Sequence, residues 1–211
     1  GVPRFDVPIV LEGGSIHVDG EGTLITTEQC LLNKNRNPNL TKGEIEDVLK
    51  NNLNVKKIIW LKQGLYGDDT DGHVDNVACF ARPGVILIQT SSDPSNPNYE
   101  TSKENLEILR NETDAKGRTF EIIQIEQPAE AYYNDLLLTL SYINFYFVNG
   151  GIILPQFGGK YAETDKMAKE VLKSTFPDRE IVTIDGLKII RGGGNVHCLT
   201  QQIPAGVPAK L

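Results

Sequence analysis

Short runs of alternating apolar and polar residues, separated by turns that contain glycine, recur along the chain. The first set has strand patterns over residues 15–18 and 23–26 with an Asp19-Gly20 turn between them, a helical pattern over 41–53 and a strand pattern over 55–60. This order predicts a ββαβ unit, in which two strands joined by a tight turn are followed by one helix and one more strand.

The same order occurs twice more. The second unit has predicted strands at 73–80, 85–88 and 120–125 and a helix at 99–110. The third unit has predicted strands at 142–148, 152–154 and 180–184 and a helix at 163–175. A last predicted strand, 195–201, follows the three glycines 192–194 and has the pattern that opens a fourth unit.

Repeated ββαβ units favour an α/β fold of the pseudo-symmetric propeller type, because each unit buries its sheet against its neighbours. An open α/β sheet with similar spacing by coincidence is the alternative. Three and a half units do not close a ring. We therefore expect residues 1–211 to form a single, partial domain, with the missing units N-terminal to Gly1.

Two of the predicted helices carry start signals. Thr41 and Glu44 have the spacing of a capping box, in which the hydroxyl and the carboxylate bind free backbone N–H groups. Thr164 is predicted to cap the helix of the third unit in a similar way.

Composition narrows the range of partners. The 211 residues carry 21 Lys and Arg against 28 Asp and Glu, a net charge of -7. This acidity argues against nucleic acid and anionic membranes as partners and suits a small cation. No apolar run approaches the roughly 18 residues of a membrane span, and no signal peptide is evident. Three widely spaced cysteines exclude a disulfide scaffold and fit a reducing, cytoplasmic compartment.

Candidate chemistry lies beside the glycines that open each unit. Glu12 precedes Gly13-Gly14, His73 and Asp75 follow Gly72, and Cys198 follows the glycines 192–194. Equivalent positions of a radial repeat converge on the axis, so these four side chains are predicted to share one pocket. If residues 73–80 form a strand, His73 and Asp75 point to the same face.

Each candidate also has a structural interpretation. Cys198 is either a thiolate nucleophile or a small buried apolar residue, and Cys30 and Cys79 lie in apolar runs that predict core positions. His73 is either a general acid and base beside carboxylates or a histidine packed in a strand.

A divalent metal ion is the rival for the Asp and His cluster, because two carboxylates and an imidazole suit zinc or a non-haem metal. The spacing matches neither an EF-hand nor a helical zinc motif, and phosphate-binding glycine motifs are absent. A metal site therefore stays open as the less favoured alternative for these residues. Several carboxylates around a thiolate instead suit a planar cation such as a guanidinium, whose charge would in turn favour the thiolate.

Three segments, 11–20, 66–76 and 192–198, resemble the agmatine deiminases of the guanidino-group-modifying superfamily, which has a five-fold pseudo-symmetric α/β propeller. The similarity extends to residues 31–38 and 141–146 and so covers essentially the whole chain. It implies hydrolysis of agmatine to N-carbamoylputrescine and ammonia, a step of putrescine biosynthesis, without a cofactor.

The resemblance also implies roles for individual residues. Cys198 would attack the guanidinium carbon and form a thiouronium-type intermediate, while His73 would protonate the departing ammonia and then activate water. Glu12 and Asp75 would hold the guanidinium nitrogens. The implied substrate-binding residues are Asp69, for the distal amine, Gly194 and Asn144.

These residues depart from the family in one respect. Family members carry an N-terminal segment with a Trp-rich stretch and a further guanidinium-binding Asp, which is not found in these 211 residues, whose only tryptophan is Trp60. We therefore expect little deiminase activity from these 211 residues alone. Peptidylarginine or arginine deiminase activity, a non-catalytic propeller-type binding module and a metal hydrolase are the alternatives, and self-association into a homo-oligomer is compatible with all of them.

Overall fold

The computed structural model describes residues 4–203, which form a mixed α/β fold of small sheets and short helices. The strands are β1 Ile16–Val18, β2 Thr23–Thr27, β3 Lys57–Leu61, β4 Ala78–Arg82, β5 Val85–Thr90, β6 Glu121–Glu126, β7 Ala131–Tyr133, β8 Leu136–Leu138, β9 Tyr146–Val148, β10 Gly151–Gln156 and β11 Glu180–Asp185. The helices are α1 Glu28–Leu31, α2 Lys42–Leu53, α3 Tyr99–Asn111, α4 Ala162–Thr175 and α5 Gly186–Ile189.

Three separate three-stranded sheets share one topology. In β1-β2-β3, β4-β5-β6 and β9-β10-β11, the central strand pairs antiparallel with the strand before it and parallel with the strand after it. A helix connects the two parallel strands each time, as parallel pairing requires. The predicted ββαβ order is therefore present in all three units, and the described residues do not join these sheets into one continuous sheet.

The central strands are buried along most of their length. All five residues of β2 and the first five of β5 are buried, and the apolar run at residues 85–88 is typical of a strand covered on both faces. The three threonines of β2 are buried with their hydroxyl groups hydrogen-bonded to backbone atoms of other segments. The helices cover the sheets with fully buried positions such as Leu49, Leu109 and Leu172. Cys30 and Cys79 are buried, as predicted.

The predicted strand 73–80 is wrong in its first half, because Val74–Asn76 is a 3-10 turn and the strand begins at Ala78. Val74 and Val77 both enter the core, and residues three apart share a face in a 3-10 turn rather than in a strand. The inference that His73 and Asp75 point to one face of a strand is therefore wrong, although other contacts bring their side chains together.

Two further predicted strands differ from the structure. Only Tyr146–Val148 of residues 142–148 is a strand, since side-chain hydrogen bonds hold the segment before it: Gln89 binds the backbone of Leu140 and Tyr142. Residues 195–201 form no strand but contain a 3-10 turn, His197–Leu199. A fourth unit is therefore not begun by these residues.

The sheet of two strands, β7 and β8, was not predicted. Its turn residues Asn134 and Asp135 have φ values of 50° and 63°, the left-handed pair of a tight hairpin turn that Asn and Asp tolerate well. Among the described residues, no helix is long and apolar enough to cross a membrane.

The capping box of α2 is confirmed, since Thr41 Oγ1 accepts from the N–H of Glu44 and the Glu44 carboxylate accepts from the N–H of Thr41. The predicted Thr164 cap is wrong, because α4 begins at Ala162. A preceding 3-10 turn leads directly into that helix, and the hydroxyl of Thr164 donates to the carbonyl of Tyr161.

We predict that Thr41→Ala lowers the free energy of unfolding by about 1 kcal/mol, because the N–H of Glu44 loses its partner and the Glu44 carboxylate loses the hydroxyl that helps to hold it. Chemical denaturation measures this change. The control is Thr101→Ala within α3, which should leave stability nearly unchanged because alanine is a better helix former. Equal effects of the two substitutions would contradict the capping account.

Candidate active site

Three of the predicted site residues lie at short 3-10 turns. Glu12 immediately precedes the turn Gly13–Ser15, His73 immediately precedes Val74–Asn76, and Cys198 lies within His197–Leu199. The first two turns open the first two units, so equivalent local structure places Glu12 and His73 at the same point of their units.

Gly14 holds the first two segments together. A Cβ atom at this position would lie 2.5 Å from His73 Nδ1 and 2.6 Å from Asp75 Oδ2, closer than real Cβ atoms approach. Only glycine allows this packing. His73 Nε2 lies 3.5 Å from Glu12 Oε1 on its other side, so Glu12, His73 and Asp75 form one cluster, as predicted.

Asp75 connects this cluster to the segment that carries the cysteine. Its Oδ2 lies 2.7 Å from His197 Nδ1 and 3.4 Å from Cys198 Sγ. Asp75 itself is 2% exposed. One buried carboxylate oxygen therefore contacts both an imidazole and the candidate nucleophile.

Asn144 holds the backbone around Cys198. Its Oδ1 accepts from the N–H of His197 at 3.0 Å and from the N–H of Cys198 at 3.4 Å, and its Nδ2 donates to Cys198 Sγ at 3.2 Å. These N–H groups bind a side chain rather than a neighbouring strand, which explains why residues 195–201 form no strand. Asn144, for which the resemblance implies substrate binding, thus lies beside the sulfur.

Gly194 and Asp69 lie near the same segment. A Cβ at Gly194 would be 2.8 Å from Cys198 Sγ, so glycine is required for the observed sulfur position. Asp69 is exposed, and its Oδ2 lies 3.8 Å from the point where Gly193 would carry a Cβ. The carboxylate of Asp69 therefore lies at the outer edge of the cluster rather than among its buried groups.

Some buried polar atoms of the cluster lack partners. Within residues 4–203, Glu12 Oε2, His73 Nε2 and Asp75 Oδ1 are buried and make no hydrogen bond. An unpaired buried polar atom costs about 1–3 kcal/mol, and this cost recurs at functional sites. Two acceptors and one imidazole nitrogen are therefore available to bind a molecule that donates hydrogen bonds.

The charges of the site differ from those of isolated groups. Burial of the sulfur and the nearby Asp75 carboxylate raise the pKa of Cys198 to about 12, so the thiol is protonated at neutral pH. Burial alone would raise the pKa of Glu12, but the hydrogen bonds and charge of Arg36, together with His73, hold that pKa below its usual value. Glu12 is therefore ionised, whereas Cys198 needs added positive charge to ionise.

A possible metal set lies nearby, because single ligand atoms of Glu12, Cys30 and His73 are within 4.8 Å of one another. Arg36 already binds Glu12 Oε1 and places a positive charge beside this set, and Cys30 lies in an apolar cluster. The positive charge of Arg36 disfavours a divalent cation at this position.

Two residues of the site were missed in the sequence analysis. The sequence analysis gave His197 no role, and its contact with Asp75 depends on segments that are distant in sequence. Arg36, inside the segment 31–38, contacts Glu12 directly. A buried arginine in a polar stretch has no distinctive local pattern, so only the fold reveals its partner.

A family model described as Porphyromonas-type peptidyl-arginine deiminase matches residues 1–204 of the chain. The chain belongs to this family. An agmatine deiminase from Medicago truncatula is 51% identical over 224 aligned positions, which cover 97% of this chain and 59% of that protein.

Solved structures of relatives have the same fold. The agmatine deiminase of Enterococcus faecalis, solved while catalysing its reaction, has a TM-score of 0.86 and 39% identity over 92% of this chain and 57% of its own. The substrate-bound agmatine deiminase of C. jejuni has a TM-score of 0.83 and 34% identity, over 91% of this chain and 55% of its own. The chain thus spans less than two thirds of the length of these relatives.

We predict that iodoacetamide labels Cys198 slowly at pH 7 in the ligand-free protein, and that the rate rises about tenfold per pH unit below the thiol pKa. Cys30 and Cys79 should label more slowly still, because both are buried. Peptide mapping after timed alkylation measures all three. Rapid labelling of Cys198 at pH 7, with a rate independent of pH above it, would contradict the raised pKa.

Proposed function

We propose that the protein is an agmatine deiminase, which hydrolyses the guanidinium group of agmatine with Cys198 as nucleophile. The observation that carries the proposal is the set of unpaired buried atoms, Glu12 Oε2, His73 Nε2 and Asp75 Oδ1, linked by Asp75 to the sulfur. A guanidinium is a planar cation with only hydrogen-bond donors, so it complements two carboxylates. The agmatine deiminases among its relatives support the same substrate.

The charge of the substrate supplies what the thiol lacks. A guanidinium bound between Glu12 and Asp75 places positive charge beside the sulfur and offsets the effect of Asp75 on the thiol pKa. Cys198 then ionises when the substrate is present, and its proton passes to His73. Substrate binding and thiolate formation are therefore coupled.

The reaction follows from these positions. The thiolate forms a C–S bond with the guanidinium carbon, and one C–N bond breaks as His73 returns the proton and ammonia leaves, which gives a thiouronium-type intermediate. Water then loses a proton to His73 and forms a C–O bond, after which the C–S bond breaks and regenerates the thiolate. As the C–S bond breaks, the hydroxyl proton passes to solvent and the C=O bond forms, and His73 then returns the proton taken from water to the thiolate. N-carbamoylputrescine and ammonia are the products, and the chain supplies the nucleophile and the acid and base.

The surrounding residues have supporting roles in this proposal. Asn144 and Gly194 hold Cys198 at the substrate, and the exposed Asp69 accepts the distal ammonium of agmatine at the outer edge. The three ββαβ units form part of a pseudo-symmetric propeller within one catalytic domain, which brings equivalent positions together. The free cysteines fit work in the reducing cytoplasm, in the formation of putrescine.

Peptidyl-arginine deiminase activity is the second candidate, because the matching family model bears that description. The same carboxylates and cysteine would act on an arginine side chain, whose backbone carries no distal ammonium for Asp69 to bind. A non-catalytic binding module is less well supported, since such a module gains nothing from a cysteine beside unpaired acidic groups.

We predict that the protein at its natural length releases ammonia from agmatine, and that Cys198→Ala reduces the rate to background. Cys79→Ala, which removes a buried thiol outside the site, should retain the activity. An enzyme-coupled assay of ammonia release, run with and without a metal chelator, measures these rates. Equal rates for wild type and Cys198→Ala, or loss of activity on chelation, would overturn the proposal, and citrulline formation from arginine peptides alone would favour the second candidate.

We also predict that Gly14→Ala lowers kcat by about 100-fold, the cost typical of a displacement of about 1 Å in a catalytic group. The new methyl group would overlap both His73 and Asp75. Gly43→Ala is the matched control, because a Cβ there meets nothing within 4 Å. Similar kinetics for the two variants would show that the close packing at Gly14 is not needed.

A further inference from the structure

Arg36 lies against the proposed site but cannot reach the reaction, because all its donors are already used. Its guanidinium makes five hydrogen bonds: Nε and Nη2 to Glu12 Oε1 at 3.0 and 2.8 Å, Nη2 to the Thr70 carbonyl at 2.7 Å, and Nη1 to Asp71 Oδ2 at 2.6 Å and Asn35 Oδ1 at 2.8 Å. An arginine has five N–H donors, so none is left for a substrate. Its side chain is 8% exposed.

We infer that Arg36 is a positioning residue for the deiminase reaction, which fixes the orientation and charge of Glu12 and the approach of the chain to His73. The inference rests on the proposed function, because it assigns Glu12 to the guanidinium. Its basis is the geometry around Arg36, which contacts the two segments that carry the carboxylate and the imidazole.

The first effect is on the orientation of Glu12. Both contacts from Arg36 go to Oε1, so the other oxygen, Oε2, is the one left buried and unpaired. A planar fork that takes one oxygen fixes the plane of the carboxylate. Asn37 anchors the same loop to the segment before Glu12, through hydrogen bonds to both the N–H and the carbonyl of Val10.

The second effect is on the turn that leads into His73. Asp71 and Gly72 have φ values of 57° and 88°, so two successive left-handed residues bend the chain immediately before the imidazole. Arg36 binds the Asp71 carboxylate and the carbonyl of Thr70, and Thr70 Oγ1 accepts from the N–H of His73 at 3.3 Å. The guanidinium thus holds one side of this bend in place.

The third effect is electrostatic. Glu12 and Asp71 are two carboxylates that share one cation, and without it they would repel each other. The Arg36 guanidinium holds the pKa of the Glu12 carboxyl below its usual value. The pKa of Asp71 is also lowered, first by the hydrogen bond from Asn35 and then by Arg36. Since burial acts on Glu12 in the opposite direction, loss of Arg36 leaves that carboxyl with a raised pKa and protonated at a higher pH.

The test compares the pH dependence of kcat/KM for agmatine in wild type, Arg36→Gln, Arg36→Lys and Arg118→Gln. Arg118 is the matched control, an arginine that also bridges two carboxylates, Glu21 and Asp114, but lies outside the proposed site. We expect Arg36→Gln to lower kcat/KM by about 100-fold and to move the acidic limb of the profile to higher pH. Lysine keeps the positive charge but lacks the planar guanidinium, so Arg36→Lys should keep the acidic limb at the wild-type pH and recover only part of kcat/KM.

Each outcome has one interpretation. If wild type releases no ammonia from agmatine, the proposed function fails. If wild type is active and Arg36→Gln is folded by circular dichroism but keeps the wild-type acidic limb, the inference about Arg36 alone is overturned. If Arg36→Gln does not fold, Arg36→Lys decides: a reduced kcat/KM with an unmoved limb supports positioning, and wild-type kinetics overturn it. Arg118→Gln should match wild type, and an equal loss in that variant would overturn the assignment to the site.

Discussion

The contact of the Asp75 carboxylate with Cys198 is the interaction on which the arrangement of the site depends. A single buried oxygen lies 3.4 Å from the sulfur and 2.7 Å from His197. The same oxygen lies against Gly14, in the segment of Glu12. Segments that are more than 120 residues apart in sequence therefore meet at one acidic group.

That contact also sets the electrostatic character of the site. A carboxylate beside a thiol opposes ionisation, so the ligand-free cysteine stays protonated and the acidic groups keep unpaired oxygens. Both penalties are relieved by the same event, the arrival of a planar cation. In this account, the binding of a guanidinium and the activation of the nucleophile are one electrostatic change, and Arg36 neutralises the acidic groups on the side away from the substrate.

The sequence alone predicted the repeated ββαβ units and the cluster of Glu12, His73, Asp75 and Cys198, because apolar periodicity and glycine placement are local signals. The 3-10 turn after His73 was missed because it is only three residues long and leads directly into the apolar strand β4, so it shows no period of its own. The strand expected at 195–201 is absent because Asn144, more than 50 residues away, takes its backbone N–H groups. The role of Arg36 likewise depends on partners that only folding brings within reach.

The most direct test of the account is to stop the reaction with acid while agmatine is in excess and to measure the mass of the peptide that contains Cys198. The account predicts that this peptide gains the mass of the agmatine-derived group after loss of ammonia, and that peptides with Cys30 and Cys79 stay unmodified. Turnover without any modification of Cys198, or an adduct on another residue, would contradict it.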